Sequence, residues 1–195
     1  MNDPALADRL VEALRSEHHK AKTKVSLPLA ILLDKHKGTC TRAEIREAVA
    51  ELEHRGKVVC FGDQVRLREA KPKLSPRREL FQEALLHLLR ENPLTPPTAK
   101  EIAEKLNAPE QAVTAALGEA VLLENAWPSE HVFYPRPEFD SELRRIENSL
   151  GRRNITRKQF REHLQLTRKP ADELFEFLLN RGWLRASGDG FRFVR

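Results

Sequence analysis

The tripeptide Thr-Arg-Lys occurs at 156–158 and again at 167–169, each time where a helix is expected to begin with the threonine as its cap. A helix start carries partial positive charge, so cations there are mildly unfavourable. Two explanations stand open. Either the charges are simply solvated, or they meet an anion that the helix amides also attract, such as a nucleic-acid phosphate. Arg157, Lys158, Arg161, Arg168 and Lys169, joined by Arg185 and Arg192 further on, form the candidate phosphate-binding set. No other chemistry has a comparable footing. The chain has no GxxxxGKS or GxxxxGKT phosphate loop and no GxGxxG, and Gly188-Asp189-Gly190 is too short to cradle a nucleotide. His18 and His19 are adjacent, so they point to different sides of a helix and do not make a metal pair. No serine or cysteine sits in a nucleophile context, and Glu173 and Glu176 read as solvated helix residues rather than an acid/base pair. The expectation is therefore a protein that is not an enzyme, with no cofactor and no metal.

The placement of charge says more than its total. The net charge is +5, and residues 140–195 hold 13 Lys+Arg against 8 Asp+Glu, a surplus of 5. Residues 1–70 come to +2 (13 against 11) and residues 71–139 to −2 (8 against 10). A basic surface confined to one part of a chain points to a polyanionic partner engaged there. The 195 residues, 40% of them hydrophobic and 32% charged, suit two or three small domains better than one large one. No apolar run approaches the roughly 20 residues that cross a bilayer. The opening MNDPALADRL lacks the basic start and apolar stretch of a signal peptide. Cys40 and Cys60 cannot build a disulfide framework, and read as reduced thiols at small core positions of a cytoplasmic protein.

The elements that must position the basic residues show themselves as a repeat. RGKVVCFGDQVRLR begins at Arg55, and RGWLRASGDGFRFVR runs from Arg181 to Arg195. Both open Arg-Gly, both have Gly-Asp six residues after that glycine, and both continue apolar-Arg-apolar, as Val65-Arg66-Leu67 and Phe191-Arg192-Phe193. Gly56 and Gly182 are expected to stop helices in the left-handed conformation, and the Gly-Asp pairs to turn hairpins. Upstream, Thr41–Glu44, Thr98–Glu101 and Thr156–Gln159 fit the capping-box pattern. Ile45, Val49 and Leu52, and again Ala171, Leu174, Phe175 and Leu178, recur at helical spacing. The last part reads as helices over about 140–151, 157–164 and 168–180 followed by a hairpin, a helix-turn-helix with a wing. In the first part a helix follows near Ser26, with Pro28 in its first turn. In the middle part Ser75 caps a helix that starts at Pro76, and the wing, WPSEHVFYPRPEF, holds three prolines and cannot be a regular hairpin throughout. The predicted fold is mainly α with small β-wings: three tandem winged helices, at 1–70, 71–139 and 140–195, each with its own core. KPKLSP and YPRPEF are the expected junctions.

Residues 155–193, ITRKQFREHLQLTRKPADELFEFLLNRGWLRASGDGFRF, resemble the last winged helix of the bacterial selenocysteine-specific elongation factor (SelB) family. The resemblance is carried by Phe160-Arg161 on the second helix, Thr167-Arg168-Lys169 at the start of the third, Glu176-Phe177, and the helix-ending Asn180-Arg181-Gly182. LSPRRELFQEALLHLLRENPLTPPTAKEIAEKL resembles the opening of the preceding winged helix, and ALRSEHHKAKTKVSLPLAILL a still earlier segment, with His18-His19 in place of a Tyr-His-type pair. The sequence departs from the family at Leu184-Arg185-Ala186, where two adjacent arginines often enter the wing, and at Pro170. The resemblance implies the last three of four winged helices in an arm without its GTPase. It implies translation and selenocysteine incorporation as the setting, with an mRNA stem-loop, the selenocysteine insertion sequence, held by the last winged helix. The ribosome and a GTPase module are further partners that it implies.

On this expectation the two Arg-Lys helix starts and the wing arginines converge on one phosphate-rich RNA loop. Trp183 is either a stacking platform for a base or a core residue, while Trp127 and Tyr134 read as core or domain-interface residues. A free-standing winged-helix DNA-binding regulator is an alternative. It is opposed by ADELFEF (171–177), which is acidic and apolar where a groove-reading helix carries polar residues. A protein-interaction scaffold is the other alternative, and suits the near-neutral first two parts.

Overall fold

A computed structural model describes residues 4–151 and 153–194; Met1 to Asp3, Arg152 and Arg195, the last residue of the repeat, lie outside the described residues. The chain is mainly helical with small antiparallel sheets. Its elements follow one order three times. The first segment runs α1 (Pro4–Lys20), β1 (Leu27–Pro28), α2 (Leu29–Lys35), α3 (Arg42–His54), β2 (Val58–Phe61) and β3 (Gln64–Leu67). The middle one runs α4 (Pro76–Glu91), α5 (Ala99–Leu106), α6 (Glu110–Leu122), β4 (Ala126–Pro128) and β5 (Phe133–Pro135). The last runs α7 (Arg136–Leu150), α8 (Arg157–Leu164), α9 (Arg168–Asn180), β6 (Leu184–Ser187) and β7 (Gly190–Phe193). In the first sheet the order is β1-β3-β2, and Ile155 takes the place of β1 in the last segment by bridging to Phe191.

Local chemistry accounts for the helix boundaries. Thr41, Thr98 and Thr156 each close a reciprocal capping box, with Glu44, Glu101 and Gln159. The third helix of every segment ends the same way. The amides of Lys57, Asn125 and Trp183 reach back to the carbonyls of Leu52, Ala120 and Leu178, and the residue before each amide is left-handed. In the outer segments that residue is Gly56 (φ 68°) or Gly182 (φ 69°), while in the middle segment it is Glu124 at φ 62°. A side chain in that conformation costs on the order of 1 kcal/mol, so Glu124 has to be held by something else.

Four expectations about the elements need correction. Pro28 ends β1 and caps α2 instead of sitting in its first turn, because Leu27 and Pro28 pair with Val65 and Gln64. Ser75 occupies the cap position of α4, but its side chain makes no capping bond. α7 begins at Arg136 and not near 140, so YPRPEF is the end of β5 running straight into a helix. Proline makes this possible, since Pro135 and Pro137 supply extended and first-turn geometry without needing an amide donor. Lastly, the cores are not fully separate. Leu10, Leu14, Ile45 and Val65 form one, and Leu85, Ile102, Val113 and Leu117 a second. The third, around Phe139, Phe160, Phe175 and Leu178, also takes in Val132 and Tyr134 from the middle hairpin.

The first two hairpins are both used to join segments. Phe61 of β2 packs against the middle core, and a Cβ on Gly118 would lie 2.9 Å from its ring, so α6 accepts the ring only because that residue is glycine. Arg66 of β3 is 5% exposed and donates to the carbonyls of Leu122 (2.6 Å), Ala70 (2.7 Å) and Arg68 (3.2 Å). The Glu124 carboxylate gathers Arg66 (3.4 Å), Arg68 (3.1 Å) and Arg136 (2.9 Å), which is what holds its backbone left-handed. The middle hairpin docks in turn on the last segment. Tyr134 lies 4.7 Å from Phe177, and the Trp127 ring is flanked by the guanidiniums of Arg136 (4.2 Å) and Arg181 (4.5 Å).

Candidate nucleic-acid interface

The seven candidate residues fall on four elements of the last segment, α8, α9, β6 and β7. α8 starts beside the hairpin, because Ile155 exchanges both backbone hydrogen bonds with Phe191 (2.8 and 2.9 Å) immediately before the Thr156 cap. Phe191 stacks edge-on against Phe175 at 4.9 Å, and Phe160 does the same at 5.3 Å, so the hairpin, α8 and α9 share one aromatic core.

The candidates differ in how far the fold already occupies them. Arg157 lies over the Phe175 ring at 4.5 Å and is bound to Glu176 at 2.5 Å, so it braces α8 against α9. Lys158 sits 3.9 Å from Glu162, and Arg161 is half-buried in the last turn of α8. Arg168 and Lys169 are 85% and 87% exposed and reach Asp172 and Glu173 only at 3.6 and 4.0 Å. Pairs of that kind contribute little, so both cations remain available.

Arg185 and Arg192 stand directly opposite each other on the outward side of the hairpin. Neither has a carboxylate partner among the described residues. Opposed Cβ atoms on paired strands are about 5 Å apart, and like charges there are destabilising. The hairpin's other face is apolar: Phe191 and Phe193 pack into the core with Leu184. A tight turn completes the edge, with Gly188 at φ 57° beside Asn154.

The two Thr-Arg-Lys copies sit at opposite ends of α8. α8 is eight residues long, about 12 Å at 1.5 Å per residue, and three residues join its end to the start of α9. Arg157 and Lys158 lie at the hairpin end of α8. Arg168 and Lys169 lie at the other end, near the middle segment, where Lys169 adds the smallest of the influences that hold the Glu101 carboxyl below its usual range; the largest is the Thr98 amide. The basic groups are therefore distributed over α8, the start of α9 and the hairpin. Thr167 caps α9 by position only, since its side chain makes no cap bond.

The outward side of α9 beyond its first turn is occupied. Phe177 and Arg181 hold the middle hairpin, and Asp172, Glu173 and Glu176 face Glu130 and His131 across an acidic cleft. Burial, with Arg136 as neighbour, pulls Arg181 below its ordinary range. Trp183 is a core residue, edge-on to Trp127 at 5.7 Å and to Phe177 at 5.9 Å. Trp127 itself donates to Asp140 at 3.2 Å, as expected of an interface residue. Sequence reasoning passed over Arg153, exposed and one residue before the Asn154 that touches the turn at Gly188. Its only signal was its place in the run GRRN. No helix of the described residues is long and apolar enough to cross a membrane, and they contain no cluster of metal-ligating side chains.

No protein-family model matches the chain, and no curated protein matches it. Among solved structures the chain is similar to a bacterial selenocysteine-specific elongation factor, EF-Sec, at 16% identity and a TM-score of 0.49. That similarity covers 98% of this chain and 29% of the factor, so the chain spans less than a third of the length of the structure it matches.

Proposed function

We propose that the chain is an RNA-binding arm of three tandem winged helices, at 1–70, 71–139 and 140–195, whose last hairpin and adjoining α8 grip the backbone of an RNA stem-loop. The observation that carries this reading is the opposed, unpaired Arg185–Arg192 couple. Arg66 holds the corresponding strand position in the first hairpin and is buried as a clamp. In the last hairpin the same position faces outwards beside a second arginine, an arrangement that is unfavourable unless an anion lies across it. The sequence motifs resembling the SelB family supply the setting: mRNA binding in selenocysteine-specific translation, with the ribosome and a GTPase module as further partners.

Duplex-DNA reading through α9 is disfavoured, because its length beyond Lys169 faces acidic groups and the middle hairpin. The test is a titration of the full chain and of its Arg185→Ala/Arg192→Ala variant against a bulged RNA hairpin, an unrelated hairpin and duplex DNA, at several salt concentrations. The variant should bind the hairpins more weakly, with the slope of log affinity against log salt lowered by about 0.7–0.9 for each phosphate no longer neutralised. Equal affinity and equal slope would remove the reading.

A further inference from the structure

A second basic surface lies in the first segment, away from the last hairpin. α1 ends in His18, His19 and Lys20, and the loop after it reads Ala-Lys-Thr-Lys. The connection from β3 to α4, which contains Lys71 and Lys73, is laid against that loop. The Lys73 amide donates to the Lys22 carbonyl at 3.0 Å, and the Arg78 guanidinium donates to the Thr23 carbonyl at 3.3 Å. Two stretches about fifty positions apart are thus stitched side by side, and four lysines line the cleft that they enclose.

Lys22, Lys24, Lys71 and Lys73 are all exposed, and none has an ion-pair partner among the described residues. The carboxylates nearby are already committed, Glu69 to Arg15 at 2.8 Å and Glu17 to Lys35 at 2.6 Å and Lys20 at 3.0 Å. A backbone hydrogen bond and the Arg78 guanidinium, and not counter-charges, hold the ammonium groups together. Glu69 also lines the cleft but is neutralised by Arg15, and the field of a concave surface with a surplus of one sign is focused and concentrates the opposite charge from solution.

We propose that this cleft is a second, sequence-independent contact for an RNA backbone, an inference that rests on the RNA-binding reading above but not on the last hairpin. The lysines are mobile point charges without a planar fork, which suits phosphates in a row and not one fixed group. A lipid surface fits less well. The cleft is concave, and the exposed large hydrophobic residues of the described chain, Leu80 and Val194, do not line it. The first segment thereby takes part in binding alongside the last.

The test uses the full chain, a Lys22→Gln/Lys24→Gln/Lys71→Gln/Lys73→Gln variant, and the Arg185→Ala/Arg192→Ala variant. Each is titrated with polyuridylate over a range of salt and, separately, with phosphatidylserine vesicles. The lysine variant is expected to melt no lower than the parent and to lower the slope on polyuridylate by about 0.7 for each phosphate it no longer neutralises. An unchanged slope overturns the proposal. So does a variant that loses only vesicle binding, which would assign the cleft to a membrane surface. If the arginine variant binds like the parent while the lysine variant is weakened, the last-hairpin reading fails and this one stands.

Discussion

Arg66→Ala tests whether the segments form one frame. The side chain is 5% exposed and donates to the carbonyls of Leu122, Arg68 and Ala70 and to the Glu124 carboxylate. Truncation leaves the Leu122 and Ala70 carbonyls without this donor and takes one of three arginines from Glu124. An unsatisfied buried acceptor costs about 1–3 kcal/mol, and breaking a buried ion pair about 3–5 kcal/mol. These interactions share one side chain and do not add. Water entering the space left by the guanidinium restores part of the loss, so about 3 kcal/mol is expected. For a chain of this length that corresponds to a fall in melting temperature of roughly 6–12 °C. Arg66→Lys keeps a charge but loses the fork, and should fall between the parent and the alanine variant. The measurement is scanning calorimetry on the full chain, with limited proteolysis to see whether the connection at 70–75 becomes sensitive before the rest. A shift below about 2 °C would mean that less than roughly 1 kcal/mol rests on the clamp, and that Arg66 does not tie the first two segments into a frame.

Three further outcomes are expected. Thr156→Ala should cost about 0.5–2 kcal/mol, because it breaks a working capping box, whereas Thr167→Ala should be nearly silent; equal losses in denaturant melts would contradict the difference in cap geometry. His18 has its pKa lowered, first by burial and then by Arg66, and its Nε2 accepts from the Leu67 amide at 3.4 Å. Its contribution is therefore complete above the ordinary histidine value of about 6.5 and is lost as pH falls through the lowered pKa, so the melting temperature should drop more steeply below about pH 6.5 in the parent than in His18→Gln. Arg168→Ala/Lys169→Ala should flatten the salt dependence of hairpin binding less than Arg185→Ala/Arg192→Ala, since these two cations start α9, at the end of α8 away from the hairpin; a larger effect would move the grip to the start of α9.

What could be read from the sequence was whatever is local. Capping boxes at Thr41, Thr98 and Thr156 depend on residues three apart, and all three formed. The spans expected for the last two helices, 157–164 and 168–180, match α8 and α9. The repeat was visible twice and not a third time because Glu124 replaces glycine at the helix stop, and only the three arginines around it explain how that is tolerated. Arg66 and Arg192 occupy equivalent places in strings of the same pattern, yet one is buried between segments and the other points outwards. Nothing in either string distinguishes them, because the difference lies in what a neighbouring segment brings up. The separation of the two Thr-Arg-Lys copies was hidden for a simpler reason. Similar tripeptides suggest one place, but the length of α8 lies between them.

The carboxylate of Glu124, held by arginines from β3, from the turn after it and from the start of α7, has a consequence for recognition. Two binding surfaces on a floppy tether meet a common strand at an effective concentration in the millimolar range, and almost any spacing on that strand is tolerated. Surfaces fixed to one frame behave like the jaws of a calliper. A nucleic acid whose phosphates fall at the set span engages both and dissociates slowly, whereas one with the wrong span engages either jaw alone. Length discrimination of this kind needs no contact with any base. A Glu124→Ala chain, with its frame loosened, should then accept RNAs of many lengths with similar affinity.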